Sequence, residues 1–567
     1  MKSPLESAGW AVLGLLLAAT LAGAATLDRR SWPELVGDEA TYLMAAQSLA
    51  WDLDVRYSRE DYDRFVRQWG RKPDGLILQS ADGGRTLVYG KPAAYPLFIA
   101  PFVRLLPTRG AGIANALLLA LAAVLTGRAL QRRIGPTAPL WIAIWIFASV
   151  AFAYVFWIHS DLFLMCLVAI ALALLYGTVT SRGKWIAAGA LLGIVILSRP
   201  LYAGLLLPAA LVLPAEPRKK AVAILAAGAA GMIVLASLSS LAARGTWSSY
   251  GGDRQSFYSY TGFPGVDPAA GNWGEQIAER GSHTWVKEET FQMGFDPRQT
   301  AWNAVYYLAG RHVGVLPYFL PLVLGFLAFR SGEGRWALVL AVALAAAALF
   351  WLRPFNFYGG GGALANRYFL PLYPAFWFLA ARPVRPAWGV LSAVGVTALA
   401  APFLLPLWSA PRAFPMNPEG GYRYVGSFAR RWLPYETTLS HLKPSGQEDL
   451  VHHGLWIKLL SPSLSPEGKG DRLRLAPGRS GDLLVGSERP LSGIRLRLPP
   501  RGPDQVTVKG ADRVEAIRRM DGGVTLRLRP RLRAHHRMWW TDDFYLYELR
   551  IEGQPEGVTF RLLPELP

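Results

Sequence analysis

The sequence predicts a polytopic α-helical membrane protein carrying a C-terminal β-sandwich-like domain outside the membrane, on three observations. Apolar residues form 52% of the 567-residue chain and charged residues only 17%, with a mean hydropathy of +0.22, far from the balance of a soluble domain. Apolar runs of about 20 residues, enough to cross about 30 Å of hydrocarbon, recur through roughly the first 410 residues. Beyond about residue 475 the pattern becomes the two-residue alternation of strands, as in "GIRLRL", "QVTVKG", "GVTLRLRP", "FYLYELRIEG" and "GVTFRLLP", broken by Gly, Pro and Asp turns.

Taken in order, the apolar runs predict about eleven spans, near 9–27, 111–128, 137–157, 161–180, 185–199, 200–215, 221–243, 313–329, 336–352, 368–381 and 387–409. Basic residues cluster in alternate short connections: Lys2; Arg128, Arg132 and Arg133; Arg182 and Lys184; Arg218, Lys219 and Lys220; Arg330 and Arg335; Arg382 and Arg385. These face the cytoplasm by the positive-inside rule, so the N-terminus is inside and the region after 410 is outside. The arginines of the long loop 28–110 fall outside under this scheme, which long loops are free to do. Residues 1–25 also fit a cleaved signal peptide, since "LAGAA" ends in small residues; either way the next segment lies outside. The expected organisation is a transmembrane domain over 1–410 with outer loops 28–110 and 244–312, a Pro-, Gly- and Ser-rich linker with short helices over 411–474, and the β-domain over 475–567. The cell inner, or plasma, membrane is the expected location.

The formal charge of +19 does not imply nucleic acid, because the basic residues sit in short clusters between apolar runs and along the C-terminal region instead of on one soluble face. They are topology signals and candidate phosphate partners. The single cysteine, Cys166, lies in an apolar run, which rules out an internal disulfide or a cysteine metal cluster.

With this topology the unusual polar residues converge on the outer side. Asp38 and Glu39 open the first outer loop in "GDEATYLMAAQSLA", and Tyr42, Ala46, Leu49 and Leu53 follow at the spacing of one helix face lying in the interface. As a pair at a helix N-terminus they also fit simple capping. Lys91 leads the short apolar segment "YGKPAAYPLFIAPFVRLLP", where it is either snorkelling to headgroups or holding a phosphate. His159 and Asp161 occupy a tight outer connection in "VFWIHSDLFLMC", a costly place for ionisable groups unless they face a site; a hairpin with Asp161 as cap is the plainer reading. Arg199 stands at the outer end of a span in "LSRPLYAG". Arg367 and Tyr368 follow the glycine run Gly359–Gly362, which lacks the Lys-Ser/Thr of a nucleotide loop and reads as a mobile segment. Together these residues make a site for something anionic at the outer boundary, with a lipid-linked phosphate as the natural ligand. The aromatic residues Trp247, Tyr250, Phe257, Tyr258, Tyr260, Trp273, Trp285 and Trp302 fit either an interfacial belt or sugar and lipid-tail contacts.

"GDEATYLMAAQSLA", "GKPAAYPLF" and "NRYFLPLYP" resemble the GT-C superfamily of membrane glycosyltransferases, specifically the branch holding protein O-mannosyltransferases and the aminoarabinose transferases of lipid A. The resemblance covers roughly residues 10–410 in layout and does not reach the β-domain. It implies transfer of a sugar from a polyprenyl-phosphate donor to a glycan, lipid or protein acceptor on the outer face. On this chain it makes Asp38 the carboxylate that orients or deprotonates the acceptor, with Glu39 beside it, and Lys91 the grip on the carrier phosphate. His159, Asp161, Arg199, Arg367 and Tyr368 complete the expected substrate-binding set. One departure bears on cofactors: the aminoarabinose transferases resemble Glu-Lys-Pro-Pro where this chain has Gly90, Lys91, Pro92 and Ala93. The carboxylate on which a divalent metal site would be built is therefore missing, and no cofactor is assigned. A carrier or flippase for a polyprenyl-linked glycan is the alternative, as is an inactive scaffold; both would share the cations without needing a base.

Overall fold

The structure is a computed structural model. It describes residues 3–31, 35, 37–83, 85–177, 181–213, 218–258, 284–287, 295–330, 332, 334–360, 365–382, 391 and 394. In the C-terminal part it describes 433–434, 436, 438–439, 450–452, 454–459, 463–467, 472–487, 489–498, 505–510, 514–518, 524–526, 532–534, 544–552 and 555–565. The chain divides into two compact units, the first built from Met1–Gln292, Leu316–Leu349 and Asn366–Asn417, the second from Met293–Val315, Phe350–Ala365 and Pro418–Pro567.

The first unit is mostly helical. Its helices include α1 Pro4–Thr26, α2 Asp38–Trp51, α3 Arg59–Trp69, α4 Ala94–Leu105, α5 Gly110–Ile134, α6 Ala138–Phe147, α7 Ser160–Tyr176, α8 Arg182–Ser198, α9 Leu206–Leu211 and α10 Arg218–Arg244. Among the described residues, three helical stretches are long and apolar enough to cross a membrane by length and composition: Pro4–Thr26, Gly110–Phe147 and Arg218–Arg244. The other expected spans that fall on described residues are shorter apolar helices, such as Ser160–Tyr176 and Trp336–Leu352, or are broken. The run expected near 137–157 becomes α6 followed by a tight 3-10 turn over Val150–Phe156, and Pro200 starts a second 3-10 segment that leads into α9. A count of eleven is thus not reached among the described residues; the run 387–409 lies almost wholly outside them.

The loop 28–110 is a folded element. Strand β1, Leu76–Ser80, pairs antiparallel with β2, Val88–Tyr89, and with β3, Asp253–Tyr258. The loop 28–110 and the segment after α10 therefore share one sheet. α2 differs from the expected interfacial helix: every residue from Glu39 to Ser48 is buried, and Leu53, expected on its apolar face, lies past the helix end, 85% exposed with φ 59°. Small residues let α2 be enclosed on all sides, so its sequence has no exposed polar face for an interface to read.

Helices α8 and α10 pack through glycines. A Cβ at Gly189 would meet the Leu225 carbonyl, one at Gly193 the Ala229 carbonyl at 2.6 Å, and one at Gly228 the Ile186 carbonyl at 2.5 Å. Such contacts let two backbones approach where lipid supplies no hydrophobic drive. The pair matters for the site because α8 ends at the C-cap Arg199 and α10 ends at Arg244.

In the second unit, two antiparallel sheets hold the C-terminal strands. One runs in the order Val524–Leu526, Gly493–Arg497, Val558–Glu565, Arg472–Leu475 and Leu464–Glu467. The other runs Val514–Arg518, Gln505–Gly510, Phe544–Ile551, Gly481–Ser487, Leu455–Leu459 and Leu450–His452, with Leu532–Ala534 also paired to Phe544–Ile551. Alternation sets their faces: Leu473 and Leu475 are buried while Arg472 and Arg474 point out, and Leu473, Leu483, Val485, Ile494, Leu496, Val508, Leu549, Phe560 and Leu562 form one core. The strands begin at Leu450, inside the 411–474 stretch read from sequence as a linker with short helices; "LVHHGLWIKL" contains no Pro or long turn to announce the change.

Gly189→Val is expected to lower the thermal unfolding midpoint in detergent by several degrees, an overpacking loss of about 1–3 kcal/mol. Gly231→Ala, whose Cβ would meet nothing within 4 Å, is the control and should not fall. Equal midpoints for Gly189→Val and wild type would contradict the close packing.

Candidate functional site

The site grows from the start of α2. Gly37 takes φ 63° and ψ −121°, a conformation open to glycine, and turns the chain so that Asp38 becomes the first helical residue. The turn is fixed on both sides: the Gly37 N–H donates to the Asp74 carbonyl at 3.0 Å, and the Thr41 hydroxyl donates to the Gly37 carbonyl at 2.8 Å while accepting the Ile77 N–H at 2.9 Å. Strand β1 thereby holds the helix start.

Three cationic or ionisable groups meet the Asp38 carboxylate. Lys91 Nζ is 2.5 Å from Oδ1, Arg367 Nη1 is 2.9 Å from Oδ2, and His159 Nε2 is 2.8 Å from Oδ2. The other imidazole nitrogen, Nδ1, lies 2.8 Å from Asp161 Oδ2, and Asp161 Oδ1 is paired with Arg199. Six of the eight residues singled out from sequence thus form one continuous chain of charge: Lys91, Asp38, Arg367, His159, Asp161 and Arg199. Tyr368 joins by its ring, 4.5 Å under the Arg199 guanidinium and 5.6 Å from that of Arg367, with its carbonyl accepting from the Tyr202 hydroxyl at 2.8 Å.

Glu39 goes elsewhere. It is fully buried, paired with Arg29 at 2.5 Å, and accepts the Ile158 N–H at 2.9 Å. Burial pushes its carboxyl above the usual range, with Arg29 and the Ile158 hydrogen bond opposing. Its geometry ties α2 to the strand-like segment before α7, so it orients the elements of the cluster without reaching into it.

Each cation has a local reason for its position. Lys91 follows β2, and the Arg244 guanidinium at the end of α10 donates to the Tyr89 carbonyl at 2.5 Å and to the Lys91 carbonyl at 2.9 Å. His159 is the N-cap of α7, its Nδ1 3.3 Å from the Asp161 N–H, so the cap is the histidine and not Asp161. The turn after Arg367 is held by Asn366 Oδ1, which accepts the Tyr368 and Phe369 N–H groups at 3.1 Å. Sequence reading missed Arg244; its signal was a cation at the end of a span that the positive-inside rule assigns to the outer side, where it expects none. It also missed Arg29, which lies in a loop with several other arginines and carries no distinguishing spacing.

Exposure is graded across the cluster. Asp38 keeps 15% of its side chain accessible, Lys91 and Arg367 13% each and Arg199 12%, whereas His159 keeps 2% and Asp161 none. The accessible edge is therefore cationic apart from Asp38, and among the described residues three permanent cations face two carboxylates. Burial alone would raise the Asp38 carboxyl, but Lys91, Arg367 and His159 outweigh it and hold the group well below the usual carboxylate range. Burying so many charges is tolerable only because each has an opposite partner in hydrogen-bond geometry.

Among the described residues no group of three His, Cys, Asp or Glu side chains is arranged to hold a metal ion, and the carboxylates of the cluster are already faced by cations that would repel it. Gly90, where the resembling family has Glu, is packed: a Cβ would meet Arg254 Nε and Ile77 Cγ2 at 3.2 Å. The aromatic residues Tyr260 and Trp273 lie outside the described residues; Tyr250 is within them and donates to the Ser198 carbonyl at 2.7 Å, next to Arg199.

The sign of the Asp38 shift gives a pH dependence. A carboxyl depressed in the folded state contributes stability that is complete above the unfolded pKa, about 3.9 for Asp, and is lost as pH falls toward the folded value. The difference in unfolding midpoint between wild type and Asp38→Asn should therefore be constant from about pH 8 to 5 and shrink below about pH 4. A difference that vanishes near neutral pH would contradict the ion pairing.

No family model matches the chain, and no curated protein matches it. Solved structures similar to it include two of ArnT from Cupriavidus metallidurans. The apo form has a TM-score of 0.41 and 17% identity over 70% of this chain, and the form bound to undecaprenyl phosphate has 0.37 and 15% over 70%. The matches span 64% and 62% of the ArnT chains, less than two thirds of their length. ArnT is an aminoarabinose transferase of lipid A, the branch that the sequence resembles. At this similarity ligand and activity are ArnT's alone, and those of this chain have to come from its own residues.

Proposed function

We propose that the chain is a multi-pass membrane glycosyltransferase, moving a sugar from a polyprenyl-phosphate-linked donor to a glycan, lipid or protein acceptor on the outer face of the membrane with inversion at the anomeric carbon. The observation that carries this reading is the cationic edge of Lys91, Arg367 and Arg199 around the single accessible carboxylate of Asp38. An anion-binding edge suits the phosphate of the donor, and a carboxylate beside it suits the attacking hydroxyl.

The charges define the order of events. A phosphate entering the cationic edge competes with Asp38 for Lys91 and Arg367. As these swing to the phosphate, Asp38 loses the groups that depress its basicity and becomes a better acceptor for the hydroxyl proton. In the transition state the anomeric C–O bond to phosphate breaks and the electron pair moves onto the phosphate oxygen. Lys91, Arg367 and Arg199 stabilise that growing charge, a type of contribution of about 10²–10³-fold per donor group in a water-poor site. The hydroxyl oxygen attacks the opposite face of the sugar, so the configuration inverts. Because the phosphate is a good leaving group, no strong general acid is required. Glu39, on this reading, holds the α2 N-terminus against Ile158 and stays out of the chemistry.

The expected topology, with the N-terminus inside and the C-terminal strands outside, is part of the same proposal. It puts Asp38, Lys91, Arg199 and Arg367 at one face of the membrane.

With a radiolabelled polyprenyl-phosphate sugar and a cell-envelope acceptor extract, Asp38→Asn should cut transfer by about 10²–10⁴-fold. Lys91→Ala and Arg367→Ala should each lower kcat/KM by about 10²–10³-fold, while Glu39→Gln acts mainly on stability. Donor crossing liposomes without a covalent product would instead identify a carrier and contradict the transferase reading.

A further inference from the structure

The Asp38 carboxylate, even when freed from Lys91 and Arg367, is a weak base, and it has to pass the acceptor's proton on before it can act again. The structure holds a better acceptor directly beside it. His159 Nε2 is 2.8 Å from Asp38 Oδ2, and its ring is 2% exposed. Its Nδ1 is 2.8 Å from Asp161 Oδ2, and Asp161 is fully buried.

The surroundings leave the Nε2 proton unfixed. That nitrogen has an acceptor, Asp38 Oδ2, at 2.8 Å and a donor, Arg367 Nη1, at 3.0 Å. It can bear a proton and donate to Asp38, or present its lone pair to Arg367. Nδ1 likewise has an acceptor, Asp161 Oδ2, and a donor, the Asp161 N–H at 3.3 Å. The ring itself cannot turn away: Tyr42 meets it edge-on at 5.2 Å and Trp157 covers it at 4.4 Å. The charged groups around it come from every neighbouring element: Asp38 and Glu39 from α2, Asp161 from α7 and Arg367 from the turn before Tyr368. Lys91 and Arg199 act at one remove, through the two carboxylates.

We propose that His159 is the final holder of the acceptor's proton, receiving it through Asp38 while Asp161 holds the opposite nitrogen. The step rests on the transferase reading and balances as follows. With the neutral imidazole protonated on Nδ1 toward Asp161 Oδ2, the acceptor O–H bond breaks as its oxygen bonds to the anomeric carbon, and the proton passes to Asp38 Oδ2 and on to the Nε2 lone pair. The resulting imidazolium lies between two carboxylates, and the pair from the broken sugar–phosphate bond stays on the phosphate. His159 returns its proton to water when the product leaves. His159 is therefore a positioning and proton-holding residue acting through Asp38, and not the phosphate ligand that its place in the sequence suggested.

The test is the pH profile of transfer for wild type, His159→Gln and His159→Asn, using the radiolabelled polyprenyl-phosphate sugar. Asparagine keeps an N-cap acceptor for the Asp161 N–H, so at least one variant retains the helix start. Wild type should show a limb in its pH profile that depends on the imidazole. Both variants should lose that limb, with kcat reduced about 10–10²-fold and the donor KM within about twofold, a size expected for a proton-transfer contribution. A variant that keeps the wild-type profile and rate overturns the relay alone, as does a raised KM with unchanged kcat, which would make His159 a phosphate ligand. A loss that is uniform at all pH values also overturns it, since a purely structural role predicts that result. Absence of transfer by the wild-type protein overturns the function and the relay together.

Discussion

The ion pair between Asp38 and its cations is the constraint on which the rest depends. A carboxylate with Lys91 at 2.5 Å, His159 at 2.8 Å and Arg367 at 2.9 Å is stable only if those partners arrive from distant parts of the chain in fixed geometry. Asp38 belongs to the start of α2, Lys91 to the loop after β2, His159 to the start of α7 and Arg367 to a turn more than 300 residues away in sequence. Bringing them together requires desolvating several charges at once, and a buried charge left without its partner costs several kcal/mol. The fold is therefore under pressure to place all of them or none.

The supports around the cluster answer that pressure. Arg244 clamps two carbonyls around Gly90 and so fixes the backbone of Lys91. Glu39 locks the α2 terminus to Ile158, one residue before His159. Asn366 shapes the turn that presents Arg367. Gly189 and Gly193 let α8 approach α10, which brings the ends bearing Arg199 and Arg244 into the same unit. None of these groups faces the accessible edge, yet each sets the position of one that does.

How much of this could be read from sequence depended on the scale of the signal. The apolar runs and the change to two-residue alternation are properties of long stretches, so the helical part and the strands near the C-terminus were legible. The convergence of Asp38, Lys91, His159, Asp161, Arg199 and Arg367 followed from topology, because ionisable residues at apolar boundaries have few places to go. What failed was local. Asp38 and Glu39 are neighbours in sequence and point in different directions, since adjacent helix positions differ by about 100°. α2 looked interfacial because its apolar spacing was clear, while its burial on every side depended on partners that no spacing reveals. Several expected spans are short or broken at prolines, where hydropathy averages across a turn.

The most direct test of the central claim is an experimental structure of the protein with a polyprenyl phosphate bound. The account predicts phosphate oxygens within hydrogen-bond distance of Lys91 Nζ and the Arg367 guanidinium, with both cations moved off Asp38 and the His159 pairing to Asp161 intact. Phosphate held elsewhere, with the Lys91 and Arg367 contacts to Asp38 unchanged, would contradict it.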